Sequence, residues 1–294
     1  MKRSVVEGVK ALISARVPHL KELSLSWFGG EPLLAKDLVM EISSFAYELC
    51  RTHNVGFAGG LTTNGYLLDS TLLESLVALN QSHFQITLDG DEEWHDKTRI
   101  QANRRPTFET IWANLCSYQK SAASFRILLR LHIHRDNVES VKRLYEKLKT
   151  TLLLDDRFSV FFHKISNLNP KDHIESVLNG KAYAEALTYV RSSDTSDNAK
   201  SENDLSDYIC YAAKPNSLMI RANGTIGKCT VALDDDRNNL GHIKEDGTIE
   251  LSNPKLRQWM LGYMDLSKST LTCPLSSLPK TDTRETIPIA LVQA

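Results

Sequence analysis

Apolar residues in the first half of the chain recur at two periods, spacing two and spacing three to four, with short polar links between the blocks. Period two marks strands, and period 3.6 marks the packed face of a helix. The pattern predicts a helix over 4–16, a strand at 23–28, and a helix after Pro32 with Leu38, Ile42, Phe45 and Leu49 on one stripe. It continues with a strand at 57–63, a helix at 69–80, a strand at 84–88 and a loop ending near Pro106. A helix at 107–120 then places Phe108, Ile111, Trp112 and Leu115 on one face. A strand at 125–134, a helix at 138–149 and a strand at 158–165 complete this half. Regular strand–helix alternation with short links predicts parallel βα units.

Two strands alternate cleanly. Ile127, Leu129, Leu131 and Ile133 share one face, and Arg130, His132 and His134 share the other. Phe84, Ile86 and Leu88 likewise oppose Gln85, Thr87 and Asp89. With the apolar faces under helices, the polar sets point to a common interior, as in a barrel. A sheet half exposed to water carries the same alternation; the βα connectivity favours the barrel.

Residues 191–207, RSSDTSDNAKSENDLSD, are polar and aperiodic, which predicts a linker between domains. Beyond it, SLMIRANGTIGKC reads as a hairpin around Asn223-Gly224, and GHIKEDGTIEL as a second around Asp246-Gly247. A short helix follows near 254–262.

The chain of 294 residues suffices for one large or two ordinary domains with a real core. A net charge of −1 gives no bulk attraction to nucleic acid or to an anionic membrane. No apolar run approaches the roughly 18 residues of a membrane span, and the amphipathic N-terminus does not have the form of a signal peptide. The expected location is cytoplasmic. Five cysteines, an odd number without an export signal, argue against a disulfide framework. Cys50 and Cys116 fall in helical patterns, as small buried or half-buried residues.

Candidate chemistry concentrates in two stretches. In SLSWFGGEPLL at 24–34, a strand runs into Gly29-Gly30, then Glu31 and Pro32. Paired glycines let the backbone turn and expose its polar groups. Glu31 suits a cationic amine, and Pro32 fixes the exit direction. The same residues also suit a plain strand–turn–helix corner. Cys210 and Cys229 frame C-x13-G-x4-C around Gly224. A hairpin there brings two thiolates together as half of an iron–sulfur or zinc site. Zinc on Cys210, Cys229, Cys273 and His242, and three purely structural thiols, remain alternatives.

WFGGEPLL resembles the GGE motif of radical S-adenosylmethionine enzymes. LTTNGYLL at 61–68, FQITLDG at 84–90, HDKTR at 95–99 and RPTFETIWANL at 105–115 follow in that family's order. CYAAKPNSLMIRANGTIGKC at 210–229 resembles the opening of its SPASM domain. The resemblance covers about residues 4–275 and implies an α/β fold: a partial (β/α)6 TIM-like barrel lacking its first strand over 1–190. A polar linker over 191–207, a small hairpin-rich SPASM-like domain over 208–275 and an unmatched, disordered tail over 276–294 follow. The family's CxxxCxxC loop is absent from this sequence and would precede Met1, so the resemblance implies an N-terminally truncated chain.

It further implies that Gly29, Gly30 and Glu31 hold the methionyl amine of S-adenosylmethionine, with Thr63 and Asn64 on the same rim. Thr87 and Arg130 would contact its carboxylate or ribose. Cys210, Cys229 and Cys273 would bind an auxiliary iron–sulfur cluster, although Ser276, Asp282 and Thr286 stand where the family has further cysteines. Asp89-Gly90 is expected as a turn, and His95, Asp96 and Arg99 as a local polar network. The implied activity uses a [4Fe–4S] cluster and an external electron donor to generate a 5′-deoxyadenosyl radical. That radical abstracts hydrogen from a ribosomal precursor peptide or protein, with no nucleic acid or membrane as partner. The alternative is an inactive or truncated relative that binds peptide or S-adenosylmethionine without turnover.

Overall fold

The computed structural model describes residues 1–165, 176–194 and 208–279. The chain divides into two compact units, Val6–Asp204 and Leu205–Ala294 with Met1–Val5.

The first unit alternates as the periods predict: α1 (Arg3–Arg16, which begins in the other unit), β1 (Glu22–Trp27), α2 (Lys36–Thr52), β2 (Gly56–Thr63), α3 (Ser70–Ala78) and β3 (Gln81–Leu88). It continues with α4 (Glu92–Thr98), α5 (Phe108–Tyr118), β4 (Arg126–Ile133), α6 (Val138–Lys149) and β5 (Phe158–Lys164), and ends in α7 (Gly180–Val190), a helix beyond those the sequence reading included. The strands form one sheet in chain order, β1-β2-β3-β4-β5, with every neighbouring pair parallel. Its register sets Leu61, Phe84, Ile127 and Phe158 side by side, and all four are buried. Leu73 and Leu76 of α3, Ile111 and Leu115 of α5, and Leu144 and Leu148 of α6 belong to the same core. Each such side chain contributes roughly 1.5–3 kcal/mol by leaving water. The opposite face carries the polar rows, in which Thr87 lies beside Arg130 and His132 beside His163.

Two details differ from the sequence reading. On α2 the buried stripe is Val39, Ile42, Ser43, Ala46 and Cys50, while Leu38, Phe45 and Leu49 are only half-buried. Lys10 of α1 lies 5.6 Å over the Phe45 ring, so that ring serves a helix–helix contact and the smaller residues approach the sheet. The stretch before Pro106 also contains α4, which the periods do not announce because only His95 of its seven residues is buried. Asp91 caps it by accepting the Trp94 N–H.

In β2 the register shifts between Gly59 and Gly60. A Cβ on Gly60 would lie 1.8 Å from the His83 carbonyl oxygen, so this close strand contact requires glycine.

The second unit holds β6 (Met219–Ile220), β7 (Thr225–Gly227), β8 (Gly241–Ile243) and β9 (Ile249–Leu251), an antiparallel sheet in chain order. Both hairpins form where Asn223-Gly224 and Asp246-Gly247 predict them, with φ of 90° at Gly224 and 84° at Gly247. Short helices α8 (Asn253–Trp259), α9 (Gly262–Asp265), α10 (Lys268–Thr272) and α11 (Pro274–Ser277) follow. Its core joins Ala212, Cys229, Ala232, Leu240, Trp259 and Leu278. The start of the expected tail is thus packed: α11 runs to Ser277 and Leu278 is buried, because the apolar Pro274, Leu275 and Leu278 extend the core beyond Cys273. The remainder of the tail, 280–294, and residues 195–207 of the expected linker lie outside the described residues. Among the described residues no helix is long and apolar enough to cross a membrane.

Candidate functional site

The corner after β1 is organised by the Glu31 carboxylate. Its Oε1 accepts the Leu33 N–H at 3.0 Å and the Thr63 hydroxyl at 2.7 Å. Its Oε2 accepts the Asn64 N–H at 2.7 Å. These bonds tie the end of β1 to the end of β2, bringing Glu31, Thr63 and Asn64 together. A carboxylate offers about four acceptor positions, so Oε2 retains capacity for one further donor. At Gly29 and Gly30 no atom lies within 4 Å of the position a Cβ would take. Their backbone faces open space, the condition a closely approaching ligand needs.

A second cluster sits at the ends of β3, β4 and β5. Thr87 is buried beside half-buried Arg130, whose buried Nε has no hydrogen-bond partner. Burial, then the nearby Arg99 charge, lower the Arg130 pKa. An unpaired guanidinium N–H in such a place favours an anionic acceptor. Further along the strands, Asp89 accepts from His132 Nδ1 at 2.9 Å and from Arg99 Nε at 2.5 Å. Burial alone would raise the Asp89 pKa, but the His132 hydrogen bond and the Arg99 charge prevail and hold it well below the carboxylate range. His163 packs 5.7 Å from His132, ring to ring. Burial, with the Arg130 and His132 charges, pushes the His163 pKa down to about 4, so its imidazole is neutral at pH 7.

The HDKTR stretch forms the local network expected of it. His95 is fully buried, its Nδ1 accepts the Asp89 N–H at 3.4 Å, and burial pushes its pKa down to about 4. Asp96 accepts the N–H groups of Thr107 and Phe108 and so opens α5. Asp89 is more than a turn residue, since it joins Arg99, His95 and His132. The Asp89–His132–His163 grouping was missed in the sequence. The alternation of polar residues on β4 and the FHK ending of β5 signal it, but only strand register makes them neighbours.

In the second unit, half-buried Cys210 packs against the core containing Cys229, while Cys273 is exposed. Burial raises the Cys229 pKa, and Cys210 and Cys273 are close enough to add to that shift. Among the described residues no three His, Cys, Asp or Glu side chains stand in a metal-holding arrangement.

No family model matches the chain. Among curated proteins it is similar to a cysteine-type anaerobic sulfatase-maturating enzyme of Clostridium novyi, 27% identical over 161 residues, 54% of this chain and 41% of the relative. It is also similar to an Fe-coproporphyrin III synthase of Methanosarcina barkeri, 28% identical over 121 residues, 41% of this chain and 27% of the relative. The chain spans less than half the length of these curated relatives. Among solved structures, the sulfatase-maturating enzyme anSMEcpe with bound AdoMet and Kp18Cys peptide superposes with a TM-score of 0.63, at 18% identity, over 96% of this chain and 83% of that one. Streptococcus suis SuiB bound to S-adenosylmethionine gives a TM-score of 0.57, at 16% identity, over 87% of this chain and 60% of that one. These relatives and neighbours are radical S-adenosylmethionine enzymes. The chain has their fold.

The cofactors of radical S-adenosylmethionine enzymes fit the described residues unequally. S-adenosylmethionine fits: open glycine backbone and a carboxylate with spare capacity suit its amine, and the unpaired Arg130 Nε suits its carboxylate. The radical-generating cluster does not. Cys50 and Cys116 lie on the separate helices α2 and α5, and the other three cysteines belong to the second unit, so no three share one loop.

Proposed function

We propose that the unit Val6–Asp204 is the S-adenosylmethionine-binding barrel of a radical enzyme from the peptide- or protein-modifying SPASM group, with the polar sheet face as its interior. The Glu31 corner carries this reading: one carboxylate fixes two strand ends and keeps an acceptor position before open glycine backbone. Gly29, Gly30 and Glu31 would take the methionyl amine, Thr63 and Asn64 would line the rim, and Thr87 with Arg130 would receive the carboxylate or ribose. A [4Fe–4S] cluster fed by an external electron donor supplies the reductive cleavage in such enzymes. The five cysteines of this chain do not share a loop that would hold it. A peptide or protein substrate is supported by the maturating-enzyme relative and by the neighbour with bound Kp18Cys peptide.

Calorimetric titration of the chain with S-adenosylmethionine tests the core of the proposal. Saturable binding that weakens in Glu31→Gln and Arg130→Gln is the expected result; no binding by the folded chain would sink it.

The two hairpins of the second unit support a SPASM-like assignment, with Cys210, Cys229 and Cys273 as ligands of an auxiliary cluster. Iron with labile sulfide after anaerobic reconstitution is expected, whereas zinc without sulfide would replace the cluster by a zinc site. A second reading is binding of peptide or S-adenosylmethionine without turnover. Chromatography for 5′-deoxyadenosine under strong reductant separates the two.

A further inference from the structure

The β6–β7 hairpin carries an arginine whose carboxylate-binding edge has no acceptor among the described residues. In a guanidinium, Nε–H and Nη2–H lie side by side and match the two oxygens of a carboxylate. Arg157 and Arg237 both use that edge on an aspartate two residues earlier. Arg157 Nε and Nη2 donate to Asp155 Oδ1 and Oδ2 at 3.0 Å and 2.6 Å. Arg237 Nε and Nη2 donate to Asp235 Oδ1 and Oδ2 at 2.9 Å and 2.5 Å. Arg221 has Met219 at the corresponding position, and its Nε and Nη2 are buried without a hydrogen-bond partner.

Its surroundings suit an incoming acceptor. The Arg221 N–H closes the turn on the Thr225 carbonyl at 2.9 Å. Thr225 stands opposite His242, and His242 opposite Glu250, so Arg221, Thr225, His242 and Glu250 form one row on one face of the sheet. The His242 ring lies over the turn, with Nε2 2.7 Å from where a Cβ on Gly224 would stand. Glu250, the carboxylate of that row, is at its far end and paired with Lys244. Arg221 as a residue is only half-buried, so rotation of its side chain brings the unpaired edge to the surface, and that rotation breaks no hydrogen bond of Nε or Nη2. β6 is an outer strand, and an extended segment laid along it would set a side chain beside Arg221 on the same face.

We propose that Arg221 anchors an acidic side chain of an extended peptide. Its Nε/Nη2 edge takes the carboxylate of an aspartate or glutamate, and the Thr225 hydroxyl beside it is a further donor. Arg221 is the one fixed positive charge of the row, which suits a carboxylate monoanion better than a phosphate dianion. This deepens the proposed function and rests on it for the partner: the peptide or protein substrate carries an aspartate or glutamate that docks on the second unit.

Titration of the full chain with a capped threonine–valine–glutamate–valine–threonine peptide and with its glutamine counterpart tests this, read by proton–nitrogen-15 NMR of the arginine Nε–H groups. The glutamate peptide should bind saturably and move the Arg221 Nε–H resonance downfield. The glutamine peptide should bind more weakly by roughly tenfold to a hundredfold. Arg221→Lys identifies the resonance by its loss; keeping the charge without the edge, it should weaken the glutamate peptide about tenfold. Thr225→Val should weaken it less. Equal affinity for the two peptides, unchanged affinity in Arg221→Lys, an unmoved Arg221 resonance or no peptide binding would each overturn the proposal. So would a response to inorganic phosphate at lower concentration than to the glutamate peptide, or a response to acetate alone. The two peptides are compared on the unaltered chain, so the test stands even if Arg221→Lys does not fold. Retained S-adenosylmethionine binding beside any overturning result would leave the parent reading standing. Lost cosubstrate binding with the expected Arg221 responses would count against the parent reading alone.

Discussion

The sheet of Val6–Asp204 and the sheet of the second unit both press a glycine against a neighbouring strand, yet different groups hold them together. A Cβ on Gly60 would meet the His83 carbonyl oxygen at 1.8 Å, and one on Gly241 would meet the Glu250 carbonyl oxygen at the same distance. Around Gly60, continuous rows of buried apolar side chains back five strands. The core of the second unit is small, and polar groups share its interior: Lys228 donates to the carbonyls of Lys214 and Ser217, and buried Asn238 links two segments. Apolar rows are stable without help, since their contribution grows with buried area. A small core that shares its interior with hydrogen-bonded polar groups such as Asn238 depends more on each of those bonds being kept.

Removing one residue from the apolar rows should give the largest effect. Leu129 is fully buried between Ile86 of β3 and Val160 of β5. Leu129→Ala is expected to destabilise the first unit by about 4 kcal/mol. Hydrogen exchange followed by mass spectrometry should show faster exchange across β3–β5 with little change in β6–β9. Equal loss in both units would mean that they unfold as one.

Acid should separate the units next. The His95 and His163 pKa values fall to about 4 in the folded chain, against roughly 6.5 when unfolded. The unfolded chain therefore binds more protons between these values. Their contribution is present above pH 6.5 and is lost as pH falls through 4, on the order of 3 kcal/mol for fully buried His95. Denaturant melts of the first unit at pH 7 and pH 4.5 should differ accordingly, and His95→Gln should flatten the dependence. A pH-independent midpoint would refute it.

Asn238 tests the polar side of the comparison. Its Oδ1 accepts the N–H groups of Lys228 and Cys229, and its Nδ2 donates to the carbonyls of Cys229 and Ala232. Asn238→Ala strands these buried groups at a cost of about 2 kcal/mol. Protection of Lys228 and Cys229 against hydrogen exchange should fall while the first unit is unaffected.

Much of this contrast was legible in the sequence, because it is written in local patterns. Strand periods, the Asn-Gly and Asp-Gly turns and the GGE corner each depend on residues close in sequence. The α2 stripe was misread because Phe45 packs on Lys10, a contact between helices that no period within α2 records. The Asp89–His132 pair lies 43 residues apart and exists only through the parallel register of β3 and β4. Cys210, Cys229 and Cys273 could be named from spacing, while their relative placement depends on how the second unit packs.

The smallest expected change in stability falls at the Glu31 corner, where binding should respond more than folding. Glu31→Gln keeps the size of the side chain and one carbonyl acceptor, but its amide nitrogen cannot accept a hydrogen bond. Of the three bonds at Glu31, those to Leu33 and Thr63 use Oε1 and can be kept by the glutamine carbonyl, whereas the Asn64 N–H on Oε2 loses its acceptor. The folding cost should be about 1 kcal/mol, the size of one hydrogen bond in a partly exposed corner. Loss of the negative charge removes a charge-assisted bond to a cationic amine, about 1.5–3 kcal/mol, so S-adenosylmethionine affinity should fall roughly tenfold to a hundredfold. Calorimetry beside a denaturant melt reads both quantities on one sample. Affinity unchanged with stability reduced would make Glu31 a structural tie between β1 and β2 and nothing more.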